Sequence, residues 1–520
     1  MKEEIFRLVK PRKKGLLRLV FSRFFFIIIL IVVQVLILTT LYYWLYQYSP
    51  YFAAFFRLVA FLTVVYLFNN SMDSSAKLTW MLLISLAPLP GTAFLLFTQT
   101  NAGNRKTKEN VARCIEQTRD LLVQDPDVKA VLSKDGSGTD DLSTYLSLGN
   151  SFPVFDHTQV TYFPLGEDKF EAMLEELKKA EKFIFLEYFI IDEGYMWGEI
   201  LRILIEKAKA GVDVRVMYDG MCEISTLPFN YGKLLVEHGI KARSFSPIRP
   251  VVSSHYNYRD HRKILVIDGK VAFNGGVNLA DEYINRIERF GHWKDTALML
   301  KGPAVRSFTL MFLQMWNTME TEQDFSQCDV IPEEAADAEG YVMPFADCPL
   351  DEYKAGETVY MDILNRATDY VYIMTPYLIL DGELETALRF AAQRGVDVRL
   401  MLPGIPDKKI AYALAKSHYW SLKEAGIKIY EYTPGFVHAK VFVSDDCKAV
   451  VGTINLDYRS LYHHFECATY LYKVPCIARI KEDFLETQEK CRLVTDETMR
   501  TEKLFYRIVG LLVKFIAPLM

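Results

Sequence analysis

Hydrophobic positions along the chain fall into two regimes. Over the first hundred residues they run together. Phe24 to Trp44 is almost unbroken, with Gln34, Thr39 and Thr40 its polar members and no charge. Tyr51 to Phe68 is interrupted by Arg57 and Thr63, and Leu78 to Thr98 carries Pro88, Pro90 and Gly91 near its middle. Runs of this length suit bilayer-crossing helices. A buried core helix explains any one alone, but three in succession favour a membrane-anchoring region over residues 1–100. No small-residue cleavage site follows the first run, so it reads as a retained anchor. Pro-Leu-Pro-Gly breaks the helical hydrogen-bond ladder, which predicts a third segment that kinks or leaves on the side it entered.

Residues 101–154 read as a polar connector with some helix, and Asp135-Gly-Ser-Gly-Thr-Asp-Asp141 as a loop. From about residue 150 the pattern alternates between short apolar runs and amphipathic stretches, which predicts α/β architecture. Lys182-Phe-Ile-Phe-Leu-Glu-Tyr188 is a buried-strand pattern, a helix follows around 198–210, and Gly211-Val-Asp-Val-Arg-Val-Met-Tyr218 is the next strand. Tyr370-Val-Tyr-Ile-Met-Thr-Pro376, a helix near 383–394, and Gly395-Val-Asp-Val-Arg-Leu-Met-Leu402 repeat that order. The body is therefore read as a duplication, with halves at 155–330 and 345–495. The acidic, small-residue segment 326–350 serves as a linker. The apolar tail, 500–520, is read as an interfacial or packing helix.

Each half then carries the same polar constellation. His261-x-Lys263 precedes Asp268, and His438-x-Lys440 precedes Asp445. Gly275-Gly276-Val277-Asn278 and Gly452-Thr453-Ile454-Asn455 follow, 17 residues from histidine to asparagine in both copies and 177 apart. On a strand, positions two apart share a face, so each imidazole converges with its ammonium group. Two ordinary exposed strands would not preserve His, Lys, Asp and Asn together. Paired across a pseudo-twofold axis, the copies make a donor-rich pocket for a tetrahedral anion, phosphate above all. One imidazole can attack phosphorus while the other protonates the leaving oxygen. Each needs a carboxylate to fix its tautomer. Asp295 and Glu466, each opening a strand-like segment downstream of its motif, are the candidates. The chemistry calls for no metal and no cofactor.

Charge and cysteine usage narrow the setting. The net charge of −5 argues against a general nucleic-acid binder, and no phosphate-binding loop for nucleotide hydrolysis is present. The eight cysteines form no pair of metal-ligand spacing and read as reduced thiols, consistent with a cytoplasmic body. Lys2, Arg7, Lys10, Arg12, Lys13, Lys14, Arg18 and Arg23 precede the first run, and Arg105, Lys106, Lys108 and Arg113 follow the third. Two crossings plus one re-entrant or interfacial segment keep both basic regions cytoplasmic.

The duplicated motif resembles the phospholipase D superfamily. Arg259-Asp-His-Arg-Lys-Ile-Leu-Val-Ile-Asp268, Gly275-Gly-Val-Asn-Leu-Ala-Asp-Glu-Tyr283, Trp293-Lys-Asp-Thr296 and Asn455-Leu-Asp-Tyr-Arg-Ser460 are similar to bacterial cardiolipin synthases. So are the apolar amino terminus and tail, although a third hydrophobic segment departs from the usual two. The resemblance implies two phospholipase D-like α/β/α domains after an α-helical membrane region. It implies a multi-pass enzyme of the cell membrane, with phosphatidylglycerol and membrane lipids as its partners. The implied reaction joins two phosphatidylglycerol molecules through a phosphatidyl-histidine, giving cardiolipin and glycerol. It favours His261 as nucleophile and His438 as general acid/base. A hydrolytic phospholipase D and a non-catalytic membrane scaffold are the competing readings.

Overall fold

A computed structural model describes residues 50–70, 72–99, 105–150, 152–247, 258–320 and 322–519, with scattered positions between 33 and 47. The run expected at 24–44 thus lies largely outside the described residues. The second run forms helix α1 (Pro50–Asn69), the one described helix long and apolar enough to cross a membrane. Its 20 residues span roughly 30 Å, and Phe61, Tyr66 and Phe68 on it are exposed.

The third run is two helices, α2 (Ser74–Leu86) and α3 (Pro88–Gln99), separated at Ala87 where the proline-rich step was expected to break the ladder. At 13 and 12 residues, roughly 20 and 18 Å, neither spans a bilayer alone. They fold tightly together: a Cβ on Gly91 would lie 2.8 Å from the Ile84 Cα. Leu67, Trp80, Ile84 and Leu95 form a small core among the three helices. The connector is more ordered than its composition suggested, with helices at Arg105–Thr118, Pro126–Asp135 and Thr139–Asn150. The expected loop shrinks to Gly136–Gly138, because Asp140 and Asp141 sit in the first turn of the last of these helices, where acids are favourable.

Two sheets follow with one topology. In the first, β1 (Gln159–Phe163), β9 (Ala297–Lys301), β7 (Val271–Gly275), β6 (Lys263–Ile267), β2 (Phe183–Tyr188), β3 (Asp213–Asp219) and β4 (Lys241–Phe245) lie side by side in that order. In the second, the order is β10 (Tyr341–Asp347), β17 (His464–Tyr472), β16 (Lys448–Gly452), β15 (Val441–Ser444), β11 (Tyr370–Met374), β12 (Asp397–Pro403) and β13 (Lys428–Tyr432), with β18 (Cys491–Leu493) outside. Strand for strand the two orders correspond, which makes the halves duplicates. The second sheet begins at Tyr341, inside the segment read as linker. β10 pairs with β17 over seven residues there, so the acidic stretch ends in an edge strand.

The central strands are buried along their whole length, which is why they read as continuous apolar runs. The halves meet through β7 and β9 against β16 and β17, where the Thr469 hydroxyl reaches Asn274 at 3.3 Å. Helix α5 (Val305–Asn317) is buried on nearly every side and packs on strands of both halves. Helix α4 (Gly166–Lys179) covers the first sheet and brings Lys169 inward.

Candidate active site

The two motifs are stitched to each other by two short parallel pairs. β5 (Arg259–Asp260), just before His261, pairs with the start of β17 in the second half. β14 (Gly435–Val437), just before His438, pairs with β8 (His292–Lys294) in the first. The pairing continues into the motifs, with the His261 amide donating to the Phe465 carbonyl at 2.9 Å and the His438 amide to the Lys294 carbonyl at 2.7 Å. Each histidine is therefore delivered beside the carboxylate of the opposite half. His261 Nδ1 lies 2.9 Å from both oxygens of Glu466, and His438 Nδ1 lies 2.6 Å from Asp295 Oδ2. The site is complete only when both halves are present.

All six of these groups are buried: the histidines are 6 and 7% exposed, the lysines and carboxylates 1% or less. Lys263 and Lys440 each donate to the backbone carbonyl of the histidine two residues before; His261, His438 and Lys440 stand just ahead of β6 and β15, so strand alternation is not what joins them. Burial pushes His438 down to about 4, helped by Lys440 and opposed by Asp295. It pushes His261 well below the ordinary range, against the pull of Glu466. Burial alone would raise both acids. The hydrogen bonds the acids accept from the imidazoles, joined at Asp295 by the Lys440 charge and the Thr296 amide, outweigh it and hold Asp295 and Glu466 below the usual carboxylate range. The consistent state is two neutral imidazoles, each donating Nδ1–H to an ionised carboxylate and leaving the Nε2 lone pair to react.

The lysines are held close to neutrality by the same burial. Lys263 falls to about 8, with Glu466 resisting, and Lys440 to about 7, with Asp295 resisting and Lys263 adding to the fall. An arriving phosphate anion stabilises their charged forms. A depressed amine is protonated only below its own pKa, so kcat/KM is expected to decline as pH rises through about 7 to 8. The decline in kcat should come at higher pH, because bound anion raises both values. A pH–rate series with saturating and sparse substrate measures the separation, and coincident limbs would contradict it.

The half-sites differ in what surrounds them. Phe189 and His464 pack on His261, at ring distances of 4.9 and 5.2 Å. His438 sits among Tyr283, Trp293 and Phe436 at 5.4, 5.5 and 5.9 Å. The Thr453 hydroxyl donates to Glu466 Oε2. Its counterpart is Gly276, where a Cβ would stand 2.0 Å from Asp295 Oδ1. None of these contacts was read from sequence, nor was Lys169. That lysine is fully buried, donates to the Val277 carbonyl at 3.2 Å and the Tyr188 hydroxyl at 3.3 Å, and is pushed by burial down to about 7. The register Lys169–Met173–Leu177 on α4 was a usable signal, since it puts a lysine on the buried face.

Four other residues singled out by spacing lie differently. Asp268 and Asp445 do not join the histidines. Asp268 is seven residues beyond His261, roughly 23 Å of extended chain, in a left-handed turn at φ 54°. Its carboxylate accepts from the amides of Glu181, Lys182 and Phe183 at 2.7–2.8 Å. Asp445 does the same for Thr368, Asp369 and Tyr370 at 2.8–3.0 Å. These aspartates tie the entry of the central strand to its antiparallel neighbour. Asp268→Ala is expected to cost about 3 kcal/mol of stability through three unpaired amides, read as a lower denaturation midpoint, while turnover per folded molecule holds. Asn278 is committed to the Ile190 amide at 3.0 Å and the Tyr283 hydroxyl at 2.8 Å, which fixes Tyr283 beside His438. Asn455 is buried, and its Oδ1 has no hydrogen-bond partner among the described residues.

His261, His464 and Glu466 bring three ligand atoms within 4.8 Å of one another. Glu466 is already shared between His261 and Thr453, and Lys263 bears on it electrostatically, which opposes a cation there.

A duplicated α/β fold whose halves exchange histidine and carboxylate defines a phospholipase D-like protein. The chain belongs to the family described as cardiolipin synthase, PLD-like domain, which matches residues 173–316 and 360–487. It is a phosphatidyltransferase of the phospholipase D type. A cardiolipin synthase of Alkalihalophilus pseudofirmus is 32% identical over 89% of this chain and 92% of its own length. An uncharacterized protein of Streptococcus mutans is 58% identical over 88% of this chain and 99% of its own. The crystal structure of phosphatidylserine synthase from Haemophilus influenzae shares the fold, with a TM-score of 0.55, 14% identity, and coverage of 73% of this chain and 98% of that one.

Proposed function

We propose that the chain is a membrane-bound cardiolipin synthase that transfers a phosphatidyl group from one phosphatidylglycerol to another. The observation that carries this reading is the exchanged pair, His261 with Glu466 and His438 with Asp295. His261 Nε2 attacks phosphorus, a P–N bond forms, and the P–O bond to glycerol breaks as His438 gives that oxygen a proton. His438 then takes the proton from the hydroxyl of a second phosphatidylglycerol while its oxygen displaces His261, yielding cardiolipin. His438 is neutral in the free protein, so it takes the proton it donates from solvent once the bound phosphate anion raises its pKa. Lys263 and Lys440 stabilise the equatorial oxygens through both steps. One phosphodiester replaces another, so the exchange is nearly energy-neutral.

Helix α1 and the apolar run before it anchor the protein as a multi-pass protein of the cell membrane, with α2 and α3 too short to add a single straight crossing. The basic segments at 1–23 and 105–113 keep the body on the cytoplasmic side. Incubating the full-length protein with headgroup-labelled phosphatidylglycerol in detergent micelles tests the reaction. Glycerol released together with cardiolipin is expected. Phosphatidic acid as the sole product would mean that water resolves the intermediate, and no turnover would leave a scaffold.

A further inference from the structure

Helix α7 (Leu504–Lys514) is apolar on two sides. Tyr506, Gly510 and Val513 face helix α6 (Lys409–Glu424) and its surroundings. A Cβ on Gly510 would lie 2.4 Å from the Ala413 carbonyl oxygen, and Tyr506 meets Tyr412 edge-on at 5.3 Å. Leu504, Phe505, Ile508, Leu511 and Leu512 point outward and are 48–71% exposed. One turn on, the Phe515 carbonyl accepts the Thr79 hydroxyl at 2.7 Å, so the exposed stripe runs beside the amino-terminal helices.

Between α6, α7 and the chain from Arg492 to Glu502 lies a cavity of about 240 Å³. Its acids are already matched. Lys416 is 2.9 Å from Glu431 and bonded to Glu502, and Arg492 is 2.5 Å from Glu431. Arg500 and Arg507 line the same cavity and form no salt bridge among the described residues. Trp420, 53% exposed, and Leu511 supply an apolar wall. Two guanidinium groups without a salt bridge, Arg500 feeling only the charge of Asp496 one turn earlier, stand beside an outward apolar stripe and call for a partner with both an anion and a hydrocarbon part. A soluble anion would satisfy only the first.

We propose that this cavity binds one anionic phospholipid, its phosphate on Arg500 and Arg507 and an acyl chain along Trp420 and Leu511. The inference rests on the membrane reading above and adds a lipid site that shares no residue with the histidine cluster. The test uses full-length protein in phosphatidylcholine nanodiscs containing phosphatidylserine brominated in its acyl chains. Trp420 emission is isolated by subtracting the Trp420→Phe variant. Brominated phosphatidylserine is expected to quench Trp420 at lower mole fraction than brominated phosphatidylcholine. Arg500→Gln with Arg507→Gln should weaken that preference roughly 30-fold. Equal quenching by the two lipids, a preference that survives the double substitution, or displacement of phosphatidylserine by inorganic phosphate would each overturn the proposal. Cardiolipin formation by the same protein in nanodiscs that also contain phosphatidylglycerol separates the two readings. Quenching preference without turnover upholds this site and counts against the reaction alone; turnover without preference counts against the site alone.

Discussion

His438→Asn is expected to form a covalent phosphatidyl-histidine from a lipid p-nitrophenyl phosphodiester and none from phosphatidylglycerol. Nitrophenolate leaves without a proton, whereas glycerol requires one. Losing the acid should therefore cost phosphatidylglycerol turnover roughly 10³-fold or more, yet spare the first step with the activated substrate. The adduct should then persist, because no base remains to activate the second alcohol. His261→Asn should lose both reactions by roughly 10⁴-fold or more, since no nucleophile is left. Mass spectrometry of the trapped protein, with the modified peptide located, is the measurement. An adduct on His438 in the His261 variant would reverse the roles, and full activity in either variant would end the shared-site model. The near-equivalence of the two half-sites makes this substitution pair decisive: both imidazoles are buried, and both donate Nδ1–H to a carboxylate.

Much of the fold was legible because the chain says it twice. Gly-Val-Asp-Val-Arg recurs at 211 and 395, and the strands it opens, β3 and β12, occupy equivalent places in the two sheets. The His-x-Lys spacing was legible, but not its setting: His261, His438 and Lys440 stand just ahead of β6 and β15, and each lysine reaches its histidine's backbone carbonyl. What could not be read was which half's carboxylate serves which histidine. That depends on β5 crossing to β17 and β14 to β8, contacts between residues 143 to 205 positions apart that leave no local pattern. The same applies to Lys169, whose partner Val277 is 108 residues away. Asp268 and Asp445 misled for a different reason: the repeat preserves whatever both halves need, and a strand-tying carboxylate repeats as faithfully as a reacting one. The break in the third apolar run was legible for a local reason, since Pro88 and Pro90 interrupt the helical ladder and the run divides at Ala87 into two short helices.

Gly276→Ala should be nearly as damaging as losing a histidine, although the residue carries no chemistry. A Cβ there would lie 2.0 Å from Asp295 Oδ1 and 2.9 Å from its Cγ, so the carboxylate must move. Asp295 is fully buried and has His438 Nδ1 at 2.6 Å, and any displacement breaks that bond. His438 then loses the partner that fixes its tautomer and supports its charged form. Turnover should fall roughly 10³- to 10⁴-fold by comparison with other histidine–carboxylate pairs. Asp295→Asn, which adds no bulk, should fall similarly and guards against a folding defect in the alanine variant. Both should recover on the nitrophenyl substrate in the first step, because the acid is what they disable; a merely unfolded protein would not. Thr453→Val makes the contrast. It removes only the hydroxyl that Glu466 accepts and leaves the His261–Glu466 contact in place, so roughly tenfold is expected. Gly276→Ala retaining activity within tenfold of the parent would show that Asp295 can reach His438 from another position, and the reciprocal pairing would lose its role in catalysis.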